Sequence, residues 1–266
     1  MSDVGFLCMD GRMSFTLSAN ISMLFPDLPF LERIGAAAAA GFRAVECQFP
    51  YAVEARDVAA ALQAHGLVMN GINTPPGETF GSAAMMGEEA RFRDDLERAL
   101  TYAQVIGARM IHCMSGMTGG MSASARETFL RNMAHASERA AACDITLLIE
   151  PLNAVDRPGY FVARSDDVVT LLDELKAPNV KLLFDIYHIQ IMEGDLLRRM
   201  ERHWPHIGHV QIASVPHRQE PDQGEINLPI ILQALKTRGY KGFVGAEYNP
   251  RNDTLSGLNW ARAWLS

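Results

Sequence analysis

Short apolar runs rich in β-branched residues alternate with amphipathic stretches from one end of the chain to the other. The runs that read as strands are Phe15 to Asn20, Ala44 to Cys47, Leu67 to Asn70, Arg109 to Cys113, Thr146 to Glu150, Val180 to Asp185, Ile207 to Gln211 and Phe243 to Glu247. Between them the apolar positions follow a helical period over Leu31 to Ala40, Val53 to His65, Glu88 to Ile106, Ser122 to Ala142, Asp166 to Leu175, Asp195 to Arg202 and Leu228 to Arg238, and Leu255 to Leu265 follows the last strand. Strands that alternate with helices imply βαβ units and a parallel sheet. Eight units in succession predict an α/β fold with one domain, a closed (β/α)8 TIM barrel over residues 13–266, preceded by a flexible lead-in at residues 1–12.

Local signals agree with that count. Gly41, Gly66, Gly107 and Gly239 stand where helices should stop, and Ser165 ahead of Asp166 and Asp167 reads as an N-cap with two acids at the positive end of a helix. Two connections are longer than a barrel needs, Gly71 to Gly87 and Ser214 to Asn227. Both follow strands, on the face where barrel sites form, and read as pocket walls or lids.

Composition narrows the class. The chain has 266 residues, 48% apolar and 21% charged, which excludes a disordered or collagen-like polymer. Lys and Arg number 24 against 31 Asp and Glu, a net charge of −7, so no cationic footprint for nucleic acid is expected. No run of about 18 apolar residues predicts a membrane span, and the first residues do not read as a signal peptide. Cys8, Cys47, Cys113 and Cys143 form no CxxC pair and read as reduced thiols of a cytoplasmic protein.

The candidate chemistry lies at the ends of the last four strands, which finish on Glu150, Asp185, Gln211 and Glu247, spaced 35, 26 and 36 residues apart. One βα unit is about 30 residues, so each step carries the chain to the equivalent point on the next strand, and the four side chains converge at one mouth. A single acid after a strand reads equally as a helix cap or an ion-pair partner. Three carboxylates at one mouth repel each other unless a cation holds them. Three carboxylates and an amide oxygen make a hard donor set, suited to Mg²⁺ or Mn²⁺.

The runs IEPLN (149–153), FDIYHIQIMEGDL (184–196), HVQIASVPHRQEPDQGEIN (209–227) and GYKGFVGAEYNP (239–250) resemble the hydroxypyruvate isomerase family, within the xylose-isomerase-like barrels. The resemblance covers nearly the whole chain from SANISMLF (18–25) onward. It implies a metal set of Glu150, Asp185, Gln211 and Glu247, with Glu150 and Glu247 also as the acid/base pair, and a substrate-contacting His188. It further implies isomerisation of a small hydroxy-oxo acid through an ene-diolate, with hydroxypyruvate giving 2-hydroxy-3-oxopropanoate (tartronate semialdehyde).

Other residues are assigned from their position. Arg218 is the first choice to fork the substrate carboxylate, with His217 beside it on the same long loop. Glu225 is expected to steady this loop or His188, and His112 to line the pocket wall. A 2-oxo-tetronate isomerase shares every ligand and differs by one substrate carbon. A ketose 3-epimerase is disfavoured because those relatives carry His where Gln211 stands. A three-zinc apurinic-site endonuclease would need more His ligands and a cationic surface, and a non-catalytic sugar-acid binder would not need two glutamates. The expected partner is a small hydroxy-oxo acid rather than nucleic acid or membrane, and a homo-oligomer is left open.

Overall fold

The nine strands of the sheet are all parallel: β1 (Thr16–Asn20), β2 (Ala44–Glu46), β3 (Val68–Met69), β4 (Gly71–Asn73), β5 (Met110–His112), β6 (Thr146–Ile149), β7 (Val180–Asp185), β8 (Ile207–Ile212) and β9 (Phe243–Ala246). These come from a computed structural model that describes residues 15–265, so the expected lead-in at 1–12 lies outside the described residues. The strand order is β3-β2-β1-β9-β8-β7-β6-β5-β4. Its two edges, β3 and β4, are consecutive in the chain with only Asn70 between them. They form one stave broken at its middle, paired to β2 below the break and to β5 above it. Backbone bonds from Asn70 N–H to the Val45 carbonyl (2.7 Å) and from Cys47 N–H to the Gly71 carbonyl (3.2 Å) draw the seam together. The eight expected strands are therefore the eight staves of a single-domain TIM barrel.

Apart from the exposed Val68 of β3, the strands are largely buried on both faces, as in a sheet jacketed by helices, which is why they read as nearly continuous apolar runs. Outside them run α1 (Phe30–Ala39), α2 (Ala55–His65), α3 (Glu89–Ile106), α4 (Ala123–Ala141), α5 (Ser165–Leu175), α6 (Ile186–Met192), α7 (Leu196–His203), α8 (Leu228–Thr237) and α9 (Thr254–Gly257). Ile34, Val58, Leu96, Phe129, Val168, Met200 and Leu232 turn inward from these helices onto the strands. None of these helices is long and apolar enough to cross a membrane.

Three expectations are corrected. Helix α6 is missing from the sequence reading, because IYHIQIM looks like an apolar strand carrying on from β7; Asp185 ends that strand by accepting a hydrogen bond from the Tyr187 N–H at 2.8 Å and so starts the helix. Ser165 is not an N-cap but the first residue of α5, and its N–H is satisfied from elsewhere in the chain by Glu193 Oε1 at 2.7 Å. The final helix is a short α9 followed by a 3₁₀ turn over Leu258–Ala261, since Ser256 and Gly257 are poor helix formers at its centre.

Candidate active site

Register sets the height of each functional side chain. Asp185 on β7 is level with Gln211 on β8, and Asn20 on β1 is level with Glu46 on β2. Glu150 and Glu247 each stand one residue beyond their strands, β6 and β9. All four sequence-derived ligands are buried at the C-terminal mouth, Glu150 at 5%, Asp185 at 1%, Gln211 at 6% and Glu247 at 5% exposure.

Their hydrogen bonds divide them. Glu150 Oε1, Asp185 Oδ2 and Gln211 Oε1 are buried without a hydrogen-bond partner. Both Glu247 oxygens are engaged: Oε1 accepts from Gln48 Nε2 at 2.9 Å and Arg218 Nη2 at 2.8 Å, and Oε2 accepts from Asn20 Nδ2 at 2.9 Å and from Gln211 Nε2. Buried carboxylate oxygens without a hydrogen bond are costly, so the Glu150 and Asp185 oxygens, which lie close together, fit a hard cation.

His188, on α6, completes a buried group in which one atom each of Glu150, Asp185 and His188 lies within 4.8 Å of the others. Its Nδ1 accepts from the Asn153 backbone N–H at 3.1 Å, which places the ring proton on Nε2 in the neutral imidazole. That Nε2 lies 3.7 Å from both Glu150 Oε1 and Asp185 Oδ2, and it faces the cleft as a donor. Burial, then the nearby Arg218, holds the ring far below its usual pKa, so it remains neutral.

The carboxylates shift the other way. Burial first, then Glu247 and Asp185, raises the Glu150 carboxyl well above its ordinary range. Burial also pushes Glu247 up to about 7, although Arg218 pulls it down. A carboxyl poised near neutrality, as Glu247 is, is able to take and return a proton.

The cleft above them has a volume of about 380 Å³ and is lined by Gln48, Asn73, Phe80, Asp156, Tyr187 and Arg218 among others. His217 is exposed on its rim. Arg218 lies within, its Cζ 5.0 Å above the Tyr187 ring and its Nη2 3.5 Å from Asp185 Oδ2. Its φ of 51° places it in the left-handed region, a strain that concentrates at functional sites. Two expectations change here. His112 is not on the cleft wall but behind Glu150, with Nδ1 3.3 Å from Glu150 Oε2, lining a small internal space with Glu46 and His209. Glu225 is exposed and accepts from Gln190 Nε2 at 3.3 Å, a bond between its loop and α6 rather than to His188.

The sequence reading missed the layer underneath. Glu46 crosses the barrel interior to accept from Gln211 Nε2 at 2.7 Å, His209 Nε2 at 2.9 Å and Asn70 Nδ2 at 3.2 Å. Burial alone would raise its pKa; His209 and the amide donors overcome this, so Glu46 stays ionised. One signal was available, since Glu46 ends the apolar run AVE as Glu150 ends LLIE.

A family model described as xylose isomerase-like TIM barrel matches residues 34–264. The chain is 46% identical over 254 residues to the 2-oxo-tetronate isomerase of Cupriavidus necator, covering 93% of this chain and 98% of that protein. It is 39% identical over 249 residues to the hydroxypyruvate isomerase of Escherichia coli K12, covering 91% and 96%. A solved structure described as AP endonuclease, family 2, from Brucella melitensis superposes with a TM-score of 0.91 at 44% identity, covering 93% of this chain and 98% of that one.

Proposed function

Because the chain belongs to the xylose isomerase-like TIM-barrel family, we propose that it is a metal-assisted isomerase of small hydroxy-oxo acids, converting hydroxypyruvate to 2-hydroxy-3-oxopropanoate. The observation that carries this is the set of three buried oxygens without a hydrogen bond, on Glu150, Asp185 and Gln211, beside a Glu247 carboxyl poised at about 7. Glu150, Asp185, Gln211 and Glu247 would hold Mg²⁺ or Mn²⁺, which when bound polarises the substrate carbonyl.

The rest is done by the protein's own groups. One glutamate takes a proton from the hydroxymethyl carbon, and the electron pair left behind forms the ene-diolate. A proton returned to the neighbouring carbon gives the aldehyde, while the hydroxyl proton passes to the former carbonyl oxygen. Glu150 and Glu247, from staves on different sides of the mouth, serve as this acid/base pair. Arg218 and Gln48 orient the Glu247 carboxylate through Oε1. His188 donates its Nε2 proton to a substrate oxygen.

A four-carbon 2-oxo-tetronate is the second reading, favoured by the 46% identical relative of that name. A cleft of about 380 Å³ accommodates either acid. Cleavage of abasic DNA has less support, since the chain carries a net charge of −7.

The test is to strip metal with a chelator, restore Mg²⁺ or Mn²⁺, and assay both acids in deuterium oxide alongside an abasic duplex. Metal-dependent turnover with deuterium entering the product is expected. Turnover of neither acid overturns the reading, and turnover without deuterium replaces the ene-diolate with a hydride shift.

A further inference from the structure

The cleft contains two guanidinium groups, and only one of them is spoken for. Arg218 donates to Glu247 at 2.8 Å and lies 3.5 Å from Asp185. Arg157, in the loop after β6, also lines the cleft, yet among the described residues no carboxylate pairs with it. Among the described residues its side chain makes one hydrogen bond, from Nη1 to the backbone carbonyl of Asp156, at 3.0 Å. The neighbouring Asp156 carboxylate is turned to other donors, Asn153 Nδ2 at 3.0 Å and the Tyr187 hydroxyl at 2.9 Å.

Arg157 is nevertheless held in place. Its Cζ sits 4.2 Å over the Phe80 ring, a cation–π contact between the loop after β6 and the long loop after β4. Phe80 has a φ of 52°, unusual for a bulky residue. The loop is fastened on its far side, where Gly81 N–H donates to the Pro76 carbonyl at 2.6 Å and Gly81 bridges to Ser115. A strained aromatic platform carrying an uncompensated, half-buried cation is the arrangement a planar anion needs.

We propose that Arg157, seated on Phe80, is the residue that binds the substrate carboxylate, opposite the oxygen cluster that handles the carbonyl end. Arg218 is left to position Glu247. The distance between the two ends of the cleft would then set the length of acid accepted. This rests on the isomerase reading for its substrate, but not for its anion.

The experiment compares wild type with Arg157→Gln and Arg157→Lys in two measurements: steady-state kinetics on hydroxypyruvate and 2-oxo-tetronate, and calorimetric titration with glycerate, which has the carboxylate but no carbonyl. Loss of a charge-assisted pair predicts that Arg157→Gln raises KM, and weakens glycerate binding, by roughly 10- to 100-fold with kcat changed far less. Arg157→Lys should recover part of both. If Arg157→Gln binds glycerate and turns over substrate as wild type does, the proposal is overturned while the isomerase reading stands. If wild type turns over neither acid, the isomerase reading fails alone, and the titration decides: binding lost in Arg157→Gln supports the anion site, whereas binding retained, or absent from wild type, overturns it.

Discussion

Glu46 Oε1 accepts a hydrogen bond from Gln211 Nε2 at 2.7 Å, while the same nitrogen donates to Glu247 Oε2. A carboxylate only accepts, so two of them fix which end of the amide faces them and turn Gln211 Oε1 toward the site. Glu46→Gln puts an amide in that place and frees Gln211 to rotate. Partners behind metal ligands are typically worth 10- to 100-fold in affinity. We expect Mn²⁺ binding by calorimetry to weaken by roughly that factor in Glu46→Gln; unchanged affinity would show that Gln211 is held by other means.

Glu150 and Glu247 divide the proposed proton transfer. Replacing either with Gln keeps the shape and removes the base, so kcat should fall roughly 10²- to 10⁴-fold. Deuterium wash-in should fall with it. A variant that loses overall turnover but still exchanges substrate protons would assign its glutamate to the second transfer only.

The prediction for Gly245 follows from crowding. A Cβ there would lie 2.3 Å from Glu46 Oε1, because the carboxylate crosses the barrel directly over this residue of β9. Gly to Ala in a strand ordinarily gains stability through the unfolded chain. Here overpacking should dominate, and Gly245→Ala should lose about 1–3 kcal/mol in urea denaturation. A variant as stable as wild type would mean that Glu46 can shift without cost.

His112 gives a dependence on pH. Burial pushes its ring down from 6.5 to about 3, so the folded protein keeps it neutral where the unfolded chain protonates it. Unfolding therefore takes up a proton, and this residue's contribution falls as pH drops from 6.5 toward about 3, with no further loss below. His112→Gln should show a shallower decline over that window when urea midpoints are compared at successive pH values. Identical slopes in the two proteins would place the acid sensitivity elsewhere.

The barrel was legible because its signal is repetitive, an apolar run and then an amphipathic stretch, eight times, with a glycine stop after four of the helices. The strand-end set Glu150, Asp185, Gln211 and Glu247 was legible for the same reason, since each of the four is the last residue of a strand-like run, and strand ends share one mouth. Glu46, Asn20 and Asn70 were not, because what makes them matter is a path across the barrel interior, between strands far apart in the chain. Arg157 lies in irregular backbone, where no period fixes direction, and only its contact with Phe80 marks it. His112 was misplaced because nearness in sequence to a strand end does not say which way a side chain turns.

Asn20 ends β1, Glu247 follows the adjacent β9, and their side chains meet at 2.9 Å, yet 227 positions separate them along the chain. The first and last staves are thus laced together at the chemical centre. During synthesis, the partners of Glu247 on the early strands wait until the final stave docks, and a chain stopped short of it lacks the proposed base. Activity, on this arrangement, is a report that the whole circle has closed.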